Sequence, residues 1–311
     1  MAEQLPGVLL DANVYRTAAG FAPLLEAERR RGVARYADPF VVAELLAHLV
    51  DPADRDYGVC LGAIRRIHAR CNVGAGGECG ILQDSESQLA VLVMGSPLPA
   101  HDFFTERVIA PLFADIALVP PGQPFPEQAG PYLSQIAAHV AEQKARFIET
   151  GRRLQANIEA ILAGDGREER KETLKRARRT HESVAVRRGF AATFIRGVYE
   201  NAGIASPDPI PDALVDRLYP QIATAVEFEA NIWAKLAFDG AKPESRGIQS
   251  LRWDQRIAFN IGRSMNGHPL WLVTDDRDFA RAAKAAGYGE RVLTRATYER
   301  WLATSAKMGG R

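Results

Sequence analysis

Hydrophobic residues follow two different patterns along this chain. Continuous apolar runs near the two ends indicate buried strands. Elsewhere apolar residues recur every three or four positions, which is typical of amphipathic helices. Strands are predicted at residues 7–15, 79–82 and 270–274 and around Val292, and helices at residues 21–31, 40–49, 57–71, 249–265 and 279–286. This alternation predicts an α/β fold with a parallel sheet and helices on both sides of it.

The middle of the chain has a different pattern. Prolines and aromatic residues are concentrated between residues 96 and 126, which indicates a boundary region. Residues 131–203 and 212–238 then have the periodicity of long helices. We therefore expect a discontinuous α/β domain, residues 1–95 and 245–311, interrupted by a mostly α-helical insertion at residues 96–244.

Composition narrows the class of protein. With 47% apolar and 25% charged residues, the chain is typical of a globular protein. The net charge of +1 provides no overall attraction to nucleic acid, so any such binding needs a local basic surface. The three cysteines are too few for a disulfide framework and favour a reducing compartment. Neither a basic, apolar leader nor a membrane-length apolar run is found, so we expect a cytoplasmic protein without a membrane partner.

Acidic residues follow the predicted strands at both ends of the chain. Asp11 directly follows the apolar run of residues 8–10, and Asp276 and Asp278 follow the strand at residues 270–274. The carboxyl ends of parallel strands lie at one edge of the sheet, where ligands bind. Crowded carboxylates repel one another, and a hard divalent cation relieves this repulsion. The two chain ends are therefore predicted to meet at one metal site.

Two further carboxylates lie on predicted helices. Glu44 is flanked by Leu45 and Leu49, where a negative charge is costly unless it is compensated. Asp254 lies near the start of an amphipathic helix. Each acid also has a simpler interpretation, as a turn residue, a solvated helix residue or a helix N-terminal charge. At least one acid of the 275–278 segment should cap the following helix, and we assign this role to Asp278.

The residues around these acids resemble a known family. Leu-Leu-Asp-Ala-Asn-Val-Tyr at Asp11, Val-Val-Ala-Glu-Leu at Glu44, Asp-Gln-Arg-Ile-Ala at Asp254 and Val-Thr-Asp-Asp-Arg-Asp-Phe at Asp276 are similar, in this order, to the four acidic motifs of PIN-domain nucleases. The similarity covers roughly residues 5–85 and 245–300. Compact family members have a much shorter segment between the second and third acids than the one found here.

The resemblance implies a three-layer α/β/α PIN-like domain whose acidic pocket holds Mg²⁺ or Mn²⁺ for phosphodiester hydrolysis. Asp11, Glu44, Asp254 and Asp276 would be the catalytic and metal-binding residues, with Asp278 as a supporting ligand. Whether one or two cations bind stays open. Asn13 and Thr274 are candidates for hydrogen bonds to the ligands or to a phosphate, although each could equally stabilise the local turn.

A local basic surface is predicted within residues 167–188. Its candidate nucleic-acid-binding residues are Arg170, Lys171, Lys175, Arg178 and Arg179. Glutamates are interspersed with them, so a solvated helix face with intrahelical ion pairs is the alternative interpretation.

The sequence favours an endoribonuclease that cuts single-stranded RNA. A structure-specific DNA nuclease is an alternative, because the Thr-x-Asp-x-Asp arrangement at residues 274–278 also resembles flap endonucleases. A catalytically silent interaction module is the alternative from another class. A toxin with an antitoxin partner, or a component of defence or RNA processing under a protein regulator, fits the resemblance, and the sequence is compatible with an oligomer.

Overall fold

The structure, a computed structural model, describes residues 5–71, 80–98, 109–120 and 123–305. Strand β1 (Gly7–Leu10) is buried along its whole length and pairs in parallel with β2 (Ala34–Tyr36) on one side and β4 (His268–Val273) on the other. A strand covered on both faces is continuously apolar, as the Gly-Val-Leu-Leu sequence of β1 is. This pairing places the two ends of the chain next to each other.

The remaining strands complete a mostly parallel sheet. β5 (Val292–Leu293) pairs in parallel with the second half of β4, and β3 (Ser264–Met265) pairs antiparallel with its first residues. The β3–β4 connection is a two-residue turn in which Asn266 and Gly267 both have positive φ, the conformation for which Asn-Gly is favoured. The expectation of a mixed α/β fold with a parallel sheet is therefore confirmed.

Helix α3, on the N-terminal side of the chain, has a clear start signal. Asp38 accepts hydrogen bonds from the backbone N–H of Phe40 (2.7 Å) and Val41 (3.3 Å), while Pro39 occupies the first turn. The helices of this part are α1 (Ala12–Arg16), α2 (Phe21–Arg31), α3 (Pro39–Ala47), α4 (Tyr57–Cys71) and α5 (Ser85–Met94).

The middle of the chain is helical, and its helices after residue 126 are the ones expected from periodicity, whereas the first lies in the predicted boundary region. Its helices are α6 (Ala110–Leu118), α7 (Ala129–Leu162), α8 (Arg167–His181), α9 (Val184–Asn201) and α10 (Asp212–Phe238). After them come α11 (Arg246–Ala258), β3, β4, α12 (Arg277–Ala285), β5 and α13 (Arg295–Ser305).

The helical segment shares one hydrophobic core with the sheet. Helix α10 packs against α11 and α12, where the Phe228 and Phe279 ring centroids are 4.8 Å apart, and α7 packs against α3. The proposed division into a discontinuous domain and an insertion stays a prediction about chain organisation.

Several predicted element boundaries are wrong. Residues 7–15 are predicted as a strand that leads to a loop; the strand ends at Leu10, and helix α1 follows Asp11 in place of the loop. The helix predicted at residues 249–265 is Arg246–Ala258, and Gly262, with φ of +99°, separates it from β3. The helix predicted at residues 279–286 is Arg277–Ala285. Strand β2 and helices α5 and α13 were not predicted.

The strand predicted at residues 79–82 is represented by one parallel bridge between Ile81 and Ala37, and Cys79 lies outside the described residues. Within the described ranges, none of the helices combines the length and the apolar character needed to cross a membrane.

Candidate functional site

Asp11 lies at the carboxyl edge of the sheet, directly after β1. Its backbone N–H donates to Val273 O (3.0 Å), which continues the β1–β4 pairing. Its carboxylate Oδ2 accepts from Thr274 Oγ1 (2.9 Å) and from Asn13 Nδ2 (3.4 Å). The two residues expected to support the site therefore both contact Asp11, and Thr274 is next to it because Leu10 and Val273 are register partners.

Asp276 is the N-cap residue of α12. Its Oδ1 accepts from the backbone N–H of Asp278 (2.7 Å), and its own N–H donates to Thr274 Oγ1 (3.1 Å). The assignment of the cap to Asp278 is wrong, because the helix begins at Arg277 and Asp278 lies in its first turn. The carboxylate of Asp278 instead pairs with Arg281 and lies 3.8 Å from Nζ of Lys235.

Glu44 reaches the same edge from α3. Its carboxylate Oε1 accepts from a guanidinium nitrogen of Arg16 (3.1 Å), and both side chains are half-buried. The charge of Glu44, which the sequence places among leucines, is thus compensated by a cation from α1.

Asp254 is the most perturbed carboxyl group of the site. It lies on α11 with 9% of its surface exposed, and its Oδ2 is enclosed without a hydrogen-bond partner in the described part of the chain. Burial, as the main cause, and the negative charges of the neighbouring acids together raise the pKa of Asp254 to about 9. These neighbours are Asp11, Asp276, Glu44 and Asp278. The structure therefore brings all five predicted acids into one electrostatic cluster.

Asp11 is perturbed in the same direction but less strongly. Burial raises its pKa to about 6, while the hydrogen bonds from Thr274 and from the Ala12 backbone lower it and the charges of Glu44 and Asp276 raise it. A buried carboxylate without compensation is expensive, and Asp254 has no compensating donor in the described chain. Among the described residues, no three of these five acids have ligand atoms within 4.8 Å of one another, so a hard cation such as Mg²⁺ or Mn²⁺ would have to draw the carboxylates together. The partnerless Oδ2 of Asp254 is the buried oxygen that such a cation would satisfy.

An open cleft of about 1070 Å³ adjoins this cluster. Asp11, Asn13, Glu44 and Asp254 line it, and we name it the acidic cleft. Four cationic side chains from separate segments also line it: Arg16, Arg55, Lys144 and Arg246. Arg16 and Arg55 are paired with Glu44 and Asp56 of the same cleft, whereas Lys144 and Arg246 have no ion pair among the described residues and are available to an anionic substrate.

The basic surface predicted on α8 has internal partners. Arg170 makes a bidentate ion pair with Glu159 (2.5 and 2.6 Å), and Arg178 pairs with Asp239. Intrahelical pairs join Lys171 to Glu168 and Lys175 to Glu172, and Arg179 is exposed. These pairs favour the alternative of a solvated helix face, and the nucleic-acid role of these five residues stays a prediction.

Sequence reasoning missed the cations of the acidic cleft, because they come from unrelated segments without a common motif. It also missed a second acidic group beside the cleft, where possible ligand atoms of His48, Asp54 and Asp56 lie within 4.8 Å of one another. His48 Nδ1 is 2.9 Å from Asp54 Oδ2. The short spacing of these three residues was the signal that could have found this group.

Comparisons with models of protein families, with curated proteins and with solved structures found no match to this chain.

Proposed function

We propose that this protein is a Mg²⁺- or Mn²⁺-dependent nuclease with a PIN-like fold, acting as an endoribonuclease on single-stranded RNA. One observation carries the proposal: carboxylates from separate segments are close enough to raise the pKa of Asp254, and its buried Oδ2 has no partner in the described chain. Such a cluster is stable in its ionised form only with a cation bound among the carboxylates.

The residues that would hold the cation differ in how far their carboxylates are already oriented by hydrogen bonds. Asp11 is oriented by Thr274 and Asn13, and Asp276 keeps Oδ2 for a ligand while its Oδ1 caps α12. Asp254 offers its enclosed Oδ2 once its proton is lost. A bound Mg²⁺ or Mn²⁺ supplies charge neutralisation for the scissile phosphate and lowers the pKa of a coordinated water.

Glu44 and Arg16 form the part of the site that can change partners. Their ion pair is short, at 3.1 Å, and half-exposed, so its net contribution to stability is small. If Glu44 served as a ligand of a bound cation, Arg16, which lines the acidic cleft, would lose its carboxylate partner. Its guanidinium can then hold a phosphate oxygen through paired N–H donors.

The fold gives this proposal a consistent frame. β1 and β4 are adjacent parallel strands; Asp11 directly follows β1, and Asp276 lies three residues after the end of β4. Asp254 and Glu44 approach from helices, in the order of the acidic motifs that the sequence resembles. The three-layer PIN-like arrangement and a role in defence or RNA processing, with a protein regulator, belong to the same proposal.

The test is metal-dependent cleavage of labelled single-stranded RNA, single-stranded DNA and branched DNA by the purified full chain. We expect cleavage of the RNA with Mn²⁺, and a loss of at least about 100-fold in rate for Asp11→Asn and for Asp254→Asn. Asp275→Asn is the matched control, because Asp275 lies at the same sheet edge but its carboxylate accepts from the backbone N–H of Arg295 (3.2 Å).

Each outcome decides between the candidates. Cleavage of branched DNA alone identifies the structure-specific DNA nuclease instead. No cleavage of any substrate, together with absent Mn²⁺ binding in calorimetry, rejects the enzyme and favours the interaction module. Equal losses in Asp275→Asn and in Asp11→Asn would trace the effect to folding rather than to the metal site.

A further inference from the structure

A second depression continues from the acidic cleft between α3, α7 and α11. It consists of two adjoining cavities, both shallow and open to solvent. Lys144, Gln249 and Trp253 line both the acidic cleft and the first cavity, so the two open into each other. Phe40 and Gln143 line both cavities. We name this continuous depression the aromatic groove.

The walls of the aromatic groove are suited to a flat, partly apolar group. The Phe40 and Trp253 rings face each other at an angle of 49° with centroids 5.9 Å apart, and both are half-buried. The Arg256 guanidinium lies over the Phe40 ring, 5.6 Å from its centroid, and pairs with Glu86. Because its charge is already balanced, Arg256 contributes a planar surface more than a site for phosphate.

Polar groups also line the groove, and one of them, Lys144, lines the acidic cleft as well. The Gln143 side chain makes no hydrogen bond within the described residues and offers both an amide donor and an acceptor. Lys144, its neighbour on α7, is exposed and has no ion pair among the described side chains. Trp253 precedes Asp254 in sequence, so the aromatic wall begins one residue from the metal-binding cluster.

We propose that the aromatic groove binds an unpaired nucleobase next to the scissile phosphate, with Phe40 and Trp253 as the stacking surfaces and Lys144 on the flanking phosphate. Aromatic faces beside a cation are the general means by which proteins bind single-stranded nucleic acid, since every base has a face to stack. Continuity with the acidic cleft and the positive charge at the junction select this occupant. The inference rests on the proposed function and makes the requirement for a single strand a property of the groove.

The test measures binding separately from cleavage. A fluorescein-labelled single-stranded RNA and a strand of the same length with abasic residues are bound to the full-length Asp11→Asn variant, followed by fluorescence anisotropy. The abasic strand keeps the phosphates and lacks only the bases. We expect it to bind about ten-fold more weakly, and a blunt duplex to bind no better than the abasic strand.

Substitutions in the groove test which residues cause the difference in affinity between the normal and abasic strands. Trp253→Ala in the same background should bind the normal strand as weakly as the abasic one, and Trp253→Phe should restore most of the difference. Lys144→Gln should weaken both strands equally and reduce the salt dependence of binding by about one phosphate contact. Tyr132→Ala is the control, since Tyr132 is an exposed aromatic residue of α7 that does not line the groove.

The result separates this inference from the proposed function. Equal affinity for the normal and abasic strands, or preferred binding of the duplex, would reject base binding in the groove even if the unmodified protein cuts RNA. A persistent, Trp253-dependent preference for the normal strand supports the groove even if nothing is cut. If circular dichroism shows that Trp253→Ala does not fold, the affinities of the normal and abasic strands are compared for Trp253→Phe and for the protein with an unmodified groove. That comparison still tests whether the groove binds a base.

Discussion

At the scale of single residues, Asp254 has the largest perturbation in the site. Its pKa is raised from 3.8 to about 9, with burial as the main cause and the surrounding acids as the second. The folded, metal-free protein therefore keeps a proton that the unfolded chain loses. A buried acid of this kind lowers stability at neutral pH and is retained where its ionised form has a ligand to bind.

The first prediction concerns the pH dependence of metal-free stability. Since Asp254 binds a proton in the folded state up to about pH 9 and in the unfolded state only up to about pH 4, the free energy of unfolding falls as the pH rises between these values. Asp254→Asn should remove this pH dependence, so the gain in the free energy of unfolding over the unmodified protein should be about 4 kcal/mol larger at pH 8.5 than at pH 5. Urea unfolding in EDTA measures it, with Asp275→Asn as control. A difference that does not change with pH would contradict the prediction.

A second prediction concerns the cation paired with Glu44. Removing a positive charge beside a cation site raises the affinity for the cation. Arg16→Met should therefore bind Mn²⁺ about three-fold to ten-fold more tightly in calorimetry, while metal-dependent cleavage becomes slower. Arg153→Met, an exposed arginine of α7 paired with Glu149, should leave both quantities unchanged. Weaker Mn²⁺ binding in Arg16→Met would show that the Arg16–Glu44 pair organises the site.

At the scale of elements, one fully buried ion pair connects β1 with its helices. Arg70 of α4 donates to both carboxylate oxygens of Glu28 on α2 (2.8 and 2.9 Å) and to Val8 O of β1 (3.0 Å). Hydroxyl groups complete the network: Tyr15 accepts from Arg70, and Tyr298 of α13 donates to Glu28 (2.8 Å). The strand that ends at Asp11 is therefore positioned by a network with all its charges paired.

The third prediction tests this network. Arg70→Met leaves Glu28 buried without its cation and should reduce the free energy of unfolding by about 3–5 kcal/mol. The double variant Glu28→Leu/Arg70→Met removes both charges and should recover most of that loss. Urea unfolding of the two single variants and the double variant measures the coupling. Additive losses would mean that the pair acts through packing alone.

At the scale of the whole molecule, the helical segment is part of the core. Phe228 on α10 is fully buried against Phe279 of α12, the helix that Asp276 caps. Phe147 of α7 lies near Trp233 of α10 (6.2 Å between centroids), and α7 supplies Lys144 to the acidic cleft. The segment therefore shapes the site as well as covering the sheet.

The fourth prediction follows from this shared core. Phe228→Ala should cost about 3–5 kcal/mol and shift one common unfolding transition, seen equally by far-ultraviolet circular dichroism and tryptophan fluorescence. Val184→Ala, a change at an exposed position of α9, should have little effect. Two transitions, with only one shifted by Phe228→Ala, would indicate that the helical segment unfolds as an independent domain.

Local patterns along the sequence determined much of this description. The apolar runs ending in Asp11 and before Asp276, and the Asp38-Pro39 start of α3, are visible because strand burial and helix capping depend on neighbouring residues. The three-residue strand β2 was missed, since it is too short for a periodic signal. The cap of α12 was assigned to Asp278 instead of Asp276, because two nearby acids offer the same local chemistry.

Only the tertiary structure decided which side chains face one another. Arg16, Lys144 and Arg246 meet the acids at one cleft because β1 pairs with β4 while α7 and α11 pack beside α3. The same packing joins Phe40 to Trp253 and leaves Oδ2 of Asp254 without a donor in the described chain. Such proximity depends on the order of strands and on the packing of helices that are far apart in sequence. Neither can be predicted from a local sequence pattern.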